Sequence, residues 1–166
     1  MQTKRLIFKN STGDRAYIYE NSIVVEFGVC RNGISTSELN GGYKKNFKIA
    51  FNHYLSQENI DFLENHSVND YLVRQSGILG IDPKFTTGLL TSAQMENACV
   101  VTKQYRNLEV SAITTAGVRV NASRAGDSAS YYEENGEFHF DVGTINIIVL
   151  TNVSLEPGTL ANGLVT

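Results

Sequence analysis

The chain has 166 residues, 42% hydrophobic and 19% charged, with 14 Lys+Arg against 17 Asp+Glu for a net charge of -3. That length suits a single domain spanning residues 1–166 with a sizeable core. The charge balance disfavours nucleic acid and anionic membranes as partners, since both require clustered positive charge and Lys4-Arg5 and Lys44-Lys45 are only short pairs.

The elements follow in chain order. "KRLIFKN" and "RAYIYENSIVVEFGV" read as strands separated by the turn residues of "NSTGD", an early hairpin or meander. "CRNGISTSELNGGY" reads as a loop. In "KKNFKIAFNHYLS", Phe47, Ala50, Phe51, Tyr54 and Leu55 recur at helical spacing, which predicts an amphipathic helix over 44–56. A second helix is predicted over 67–77, capped by Ser67 with Asp70 three positions on, burying Val68, Tyr71 and Leu72 and stopped by Gly77 and Gly80. Beyond residue 86 strands return: "ACVVTKQY" and "LEVSAITT" flank an Arg106-Asn107 turn, and "EFHFDVGTINIIVLTNV" has the density of a buried strand. "LEPGTLANGLVT" predicts a short helix from about Pro157. The expected fold is therefore α+β: a mostly antiparallel or mixed sheet with helices packed on one face. No apolar run reaches the ~18 residues needed to span a bilayer.

One stretch does not serve a core. "TTAGVRVNASRAGD", residues 114 to 127, is dense in small hydroxyl and amide side chains and connects two strands, and a loop of that length in a compact domain is more often functional than filler. Taken with "ISTSELNGGY", "TTGLLTSAQME" and "GTINIIVLTNVSLEPGTLANGLVT", in that order and spacing, it resembles the adenosylcobinamide amidohydrolase (CbiZ) family over roughly residues 22 to 166. The most specific part is T-A-G-V-x-x-N-A-x-R-A-G-D paired with a downstream G-T-I-N-I-I. The N-terminal quarter shows no distinctive match. The family's helix after "LANGL" continues through a Thr-Glu-Ala-Lys-like stretch, whereas this sequence ends at Thr166, as a short or trimmed member does.

The resemblance implies a hydrolase of corrinoid salvage that cleaves the amide between an aminopropanol arm and a corrin propionate, releasing adenosylcobyric acid. Such chemistry needs an activated water or side-chain nucleophile, donors for the oxyanion and an acid for the departing amine. Asp127 is the candidate general base, with Gly126 beside it leaving room for substrate; the bland alternative is a turn or cap residue. Thr115 is assigned to orient the water, with a covalent role for Thr114 or Thr115 second because no base stands beside them in sequence. Asn121 and Asn146 are expected to face each other across the site, and Arg124 and Thr144 to bind substrate, against the alternatives of loop fasteners and a surface arginine. Asn40, Gly41 and Gly42 are placed before the first helix, where free N–H groups and the helix dipole would hold an oxyanion, or where the chain simply turns. Glu96 is a weaker candidate acid.

His53, His66 and His139 lack ligand spacing, so no protein-bound metal and no cofactor are expected; cobalt enters as part of the substrate. His53 and His66 read as surface residues, and His139 as lying on the opposite strand face from Phe138 and Phe140. Cys30 and Cys99 have no CxxC spacing and read as buried, inert thiols in apolar strands. With no secretory segment evident, the expected location is the cytoplasm. The competing readings are a corrinoid-binding protein without turnover and an amidohydrolase of another small amide.

Overall fold

The computed structural model describes residues 3–117, 131–134, 137–140 and 144–165, with the side chains of 57, 58, 131–134, 137–140 and 165 left aside. The order is β1 (Arg5–Lys9), β2 (Arg15–Tyr19), β3 (Ser22–Ser35), β4 (Gly42–Tyr54), α1 (Gln57–Leu63), α2 (Val68–Leu79), β5 (Thr86–Thr91), β6 (Cys99–Tyr105), β7 (Leu108–Ala116), β8 (Tyr131–Glu134), β9 (Glu137–Phe140), β10 (Ile145–Thr151) and α3 (Pro157–Val165). The α+β class expected from sequence holds. The strands form two main sheets, however: a five-stranded one ordered β1-β2-β3-β4-β5 and a three-stranded one ordered β10-β7-β6, with β8 and β9 pairing separately.

The five-stranded sheet is the middle layer. On one face Ile23, Val25 and Ala50 pack with Ile113 and Leu150 of the three-stranded sheet. On the other, Val24 and Phe51 pack with Leu72 and Leu79 of α2. Only the β4–β5 pair is parallel within this sheet, because the chain crosses over through α1 and α2 before returning as β5.

This double covering explains why residues 44–56 are a strand and not the expected helix. Ala50, Phe51, Asn52 and His53 are buried in succession, so the alternation that marks a half-buried strand is erased. What is left, Phe47, Ala50, Phe51 and Tyr54, coincides with helical spacing. The preceding loop is also shorter than expected, since β3 continues to Ser35. By contrast, α2 forms as its signals require: Ser67 Oγ accepts from the Asp70 N–H at 3.0 Å, and Gly80, at φ +70°, closes the helix. Gly77 lies inside α2 and does not stop it. Helix α1 has no counterpart in the expected elements.

The expected long strand over 137–153 is two strands, and β10 is only half buried: Ile145, Ile147 and Val149 are exposed while Leu150 is in the core. Gly88 fits for a different reason. A Cβ there would collide with the Phe51 ring, so β5 lies close against the core only because it lacks a side chain at this point.

Candidate functional site

Three of the four segments that carry the family resemblance meet where β4 and β5 face the end of β7 and the start of β10. Thr115 of β7 and Asn146 of β10 stand directly opposite each other. Between the sheets reaches Asn52 of β4, a residue that sequence reasoning did not single out. Asn52 Nδ2 donates to Thr115 Oγ1 at 2.7 Å, and Asn146 Nδ2 donates to Asn52 Oδ1 and to the Leu90 carbonyl, both at 2.8 Å. Asn52 and Thr115 are each only 2% exposed, whereas Asn146 is half-buried.

The direction of this relay follows from one group. The Leu90 carbonyl can only accept, so the Asn146 atom facing it is the amide nitrogen. With both hydrogens turned inward, Asn146 Oδ1 is left as an oriented acceptor. Asn52 must then present its oxygen to Asn146 and its nitrogen to Thr115. Thr115 Oγ1 accepts, and its own hydrogen remains available to a group beyond it.

The relay also closes the base of the polar segment. The Gly117 N–H donates to the Thr144 carbonyl at 2.9 Å, and Ala116 pairs with Ile145. Gly117 itself packs against Ser92 and Ala93, leaving no room for a Cβ. The stem from which residues 118–143 depart, and to which they return, thus sits on the Thr115–Asn146 pair. Asn121, Arg124, Gly126 and Asp127, and with them the pairing of Asn121 with Asn146, lie outside the described residues.

The fourth segment lies elsewhere. Asn40, at φ +54°, uses its amide to hold the Pro83 and Thr86 carbonyls at 2.6 and 2.7 Å. A Cβ on Gly41 would collide with the Ser37 carbonyl, and Gly42 has φ +75°. Because β4 follows, no helix N-terminus stands there and the dipole expected to hold an oxyanion is absent. The turn lies beside Ser35 and Thr87, whose hydroxyls bond each other at 2.7 Å at the lip of a cleft.

That cleft, of about 500 Å³, opens between the distal part of β3, the edge strand β10 and α3. Its walls include Phe47, Leu89, Ile148 and Leu160. Ala50 and Ile148, which line it, precede Asn52 and follow Asn146 by two residues on the same strand faces, so the relay lies one strand step beyond the cleft's lining. Arg31 also lines it, but its charge is committed: NH2 meets Asp14 Oδ2 at 2.7 Å and Thr12 Oγ1 at 2.5 Å, and NH1 meets the Thr151 carbonyl at 3.3 Å. Burial by itself would raise the Asp14 carboxyl, yet hydrogen bonds from Arg31, the Gly28 N–H and Asn10 outweigh it and hold the group below its ordinary value of 3.8.

The remaining candidates divide: His66 is on the surface as expected, while His53 and both cysteines are not where the sequence put them. His53 is not on a helix surface; it is 5% exposed on β4, bonded through Nδ1 to Ser22 Oγ at 2.8 Å, and desolvation lowers its pKa from 6.5 to about 4. His66 is exposed and stacks on Phe62 at 3.8 Å between ring centres. His139 lies in β9, its side chain outside the described set. Cys30 and Cys99 are both exposed, Cys30 beside a register shift of β3 and Cys99 on a strand exposed along most of its length, so the expectation of buried thiols fails. Glu96 is exposed on a short turn whose neighbour Met95 is in the core. Among the described residues no three His, Cys, Asp or Glu side chains gather as a metal site, and no helix is long and apolar enough to cross a membrane.

An α+β protein with an apolar cleft and, one strand step beyond its lining, a directional amide and hydroxyl relay has the features of a small-molecule site. The family model described as adenosylcobinamide amidohydrolase (CbiZ) matches residues 7–166, and the chain belongs to that family. The match takes in the N-terminal strands, which carried no recognisable motif. The chain is also 31% identical over 157 residues to an uncharacterised protein, MJ1613, of Methanocaldococcus jannaschii, covering 87% of this chain and 59% of that protein's length. No solved structure matches the chain.

Proposed function

We propose that the protein hydrolyses the aminopropanol amide of adenosylcobinamide, giving adenosylcobyric acid, in corrinoid salvage in the cytoplasm. Family membership supplies the amidohydrolase class. The observation that carries the reading further is the Asn146 side chain, whose donated hydrogens leave Oδ1 as an acceptor suited to the N–H of a secondary amide.

In this mechanism Asp127 takes a proton from water as its oxygen attacks the amide carbon, and Thr115 orients that water with the hydrogen left free by Asn52. Asn121 acts at the reacting amide and Arg124 holds carboxamides or propionates of the corrin rim, while Gly126 lets the main chain approach the substrate. Thr144 and the Asn40–Gly42 turn contribute to substrate binding. The carbon–nitrogen bond then breaks and the proton on Asp127 passes to the departing amine. No protein-bound metal or cofactor enters these steps; cobalt belongs to the substrate.

Incubation of the purified protein with adenosylcobinamide should release aminopropanol, and Asp127→Asn should abolish release while keeping binding. Unchanged turnover in that variant removes Asp127 from the mechanism. Binding without release by the wild type makes this a corrinoid-binding protein instead, and absence of binding points to another small amide.

A further inference from the structure

Asn52 stands where an apolar side chain would fill the space at less cost. It follows by two residues Ala50, which packs on the same face of β4 with Ile113 and Leu150, and its partners on the flanking strands are Ile23 of β3 and Leu89 of β5. A buried amide in such company is destabilising unless it is bonded. Among the described residues both hydrogen bonds of its side chain go to the other sheet, to Thr115 at 2.7 Å and Asn146 at 2.8 Å. Those are the two described side chains that the proposed hydrolysis brings to the reacting amide.

The two bonds have a fixed sense. The Leu90 carbonyl makes Asn146 the donor, so Asn52 Oδ1 accepts from Asn146 and Asn52 Nδ2 donates to Thr115. A threonine hydroxyl has a single hydrogen, which it can send either way. With Asn52 donating to Oγ1, that hydrogen cannot turn back between the sheets and is directed to the hydroxyl's other side. An aspartate would fill the same space and accept from Asn146 equally well. Once ionised, however, it only accepts, and it would draw the Thr115 hydrogen inward.

We infer that Asn52 is a positioning residue: it holds the Thr115 hydrogen outward for the reacting water, and an amide does this at every working pH because it does not ionise. The inference rests on the proposed amide hydrolysis and adds to it a residue outside the segments that carry the family resemblance.

Kinetics of aminopropanol release from adenosylcobinamide test it. Asn52→Leu, neutral and close in volume, should lower kcat roughly tenfold or more while KM changes less than about threefold, because the Leu90 carbonyl still holds Asn146. Asn52→Asp should be roughly tenfold or more slower than wild type at pH 8.5, and the ratio of variant to wild-type kcat should rise about fivefold or more by pH 5.5. Burial raises the carboxyl's pKa, so on acidification the acid regains an O–H that donates to Thr115 as the amide did. The ratio cancels titrations common to both proteins, Asp127 included. Ile23, Leu89, Thr115 and Asn146, which meet residue 52 from the neighbouring strands, do not titrate in this range, and His53 turns to α2, its ring 5.8 Å from that of Tyr71. Adding Thr115→Val to Asn52→Asp should abolish the rise. If Asn52→Leu keeps wild-type kcat, or if the Asn52→Asp ratio stays flat or still rises without the Thr115 hydroxyl, Asn52 only fills space, while the hydrolytic reading stands. The Asn52→Leu result decides alone where the buried acid prevents folding. A wild type that releases no aminopropanol overturns the hydrolytic reading and this role with it.

Discussion

Asn52 donates to Thr115 across the two sheets at 2.7 Å, with each residue only 2% exposed. Thr115→Val keeps the shape but leaves a buried amide hydrogen without a partner, which costs about 1–3 kcal/mol. Thr115→Ser restores the acceptor and should recover most of that stability. Urea denaturation of the two variants checks this; equal midpoints would show that the hydroxyl contributes only bulk.

Gly88 and Phe51 are in a tight steric relation, and Gly88→Ala forces the ring out of its place between β4 and α2. The expected destabilisation is about 1–3 kcal/mol, as for other overpacked cores. Pairing it with Phe51→Leu should relieve part of the loss, and strictly additive effects of the two changes would show that ring and glycine are not coupled.

Arg31 covers a carboxylate that has no exposure of its own. Arg31→Met should therefore cost about 3–5 kcal/mol at neutral pH, the scale for removing one partner of a buried pair. Because the Asp14 pKa is lowered in the folded protein, its contribution is present above its ordinary value of 3.8 and fades as pH falls through the lower folded value. Thermal melts should show the deficit of Arg31→Met at pH 7 shrinking as the acid is protonated.

His53 carries the opposite charge type and a window nearer neutrality. Its folded pKa of about 4 lies below the ordinary 6.5, so between those values the unfolded chain binds a proton that the folded chain refuses. Stability from this group is complete above pH 6.5 and is lost as pH falls towards 4, by about 3 kcal/mol in all. His53→Asn should flatten that part of the stability profile relative to wild type in urea midpoints taken at pH 7.5, 5.5 and 4.5. An unaltered slope would mean that the imidazole titrates as it does in water.

What could be read from sequence divides along physical lines. Local chemistry was legible: the Ser67 cap, the Arg106-Asn107 turn and the Pro157 start are each set by a few adjacent residues. The polar motifs also singled out Thr115 and Asn146, but not their pairing, since Asn146 was matched with Asn121. Tertiary covering was not legible. Residues 50–53 are buried on both faces because α2 and a second sheet lie on either side of β4, and no local pattern encodes that. The same covering hid Asn52 and His53 within what looked like a helix. A signal existed in the unusual run of Asn and His between Phe51 and Tyr54, since polar residues amid a buried run require partners.

The meeting of Gly117 and Thr144 gives the protein a modular character. Chain that departs from β7 comes back to β10 at a sealed doorway, so a change of length between these points costs little in loop-closure entropy.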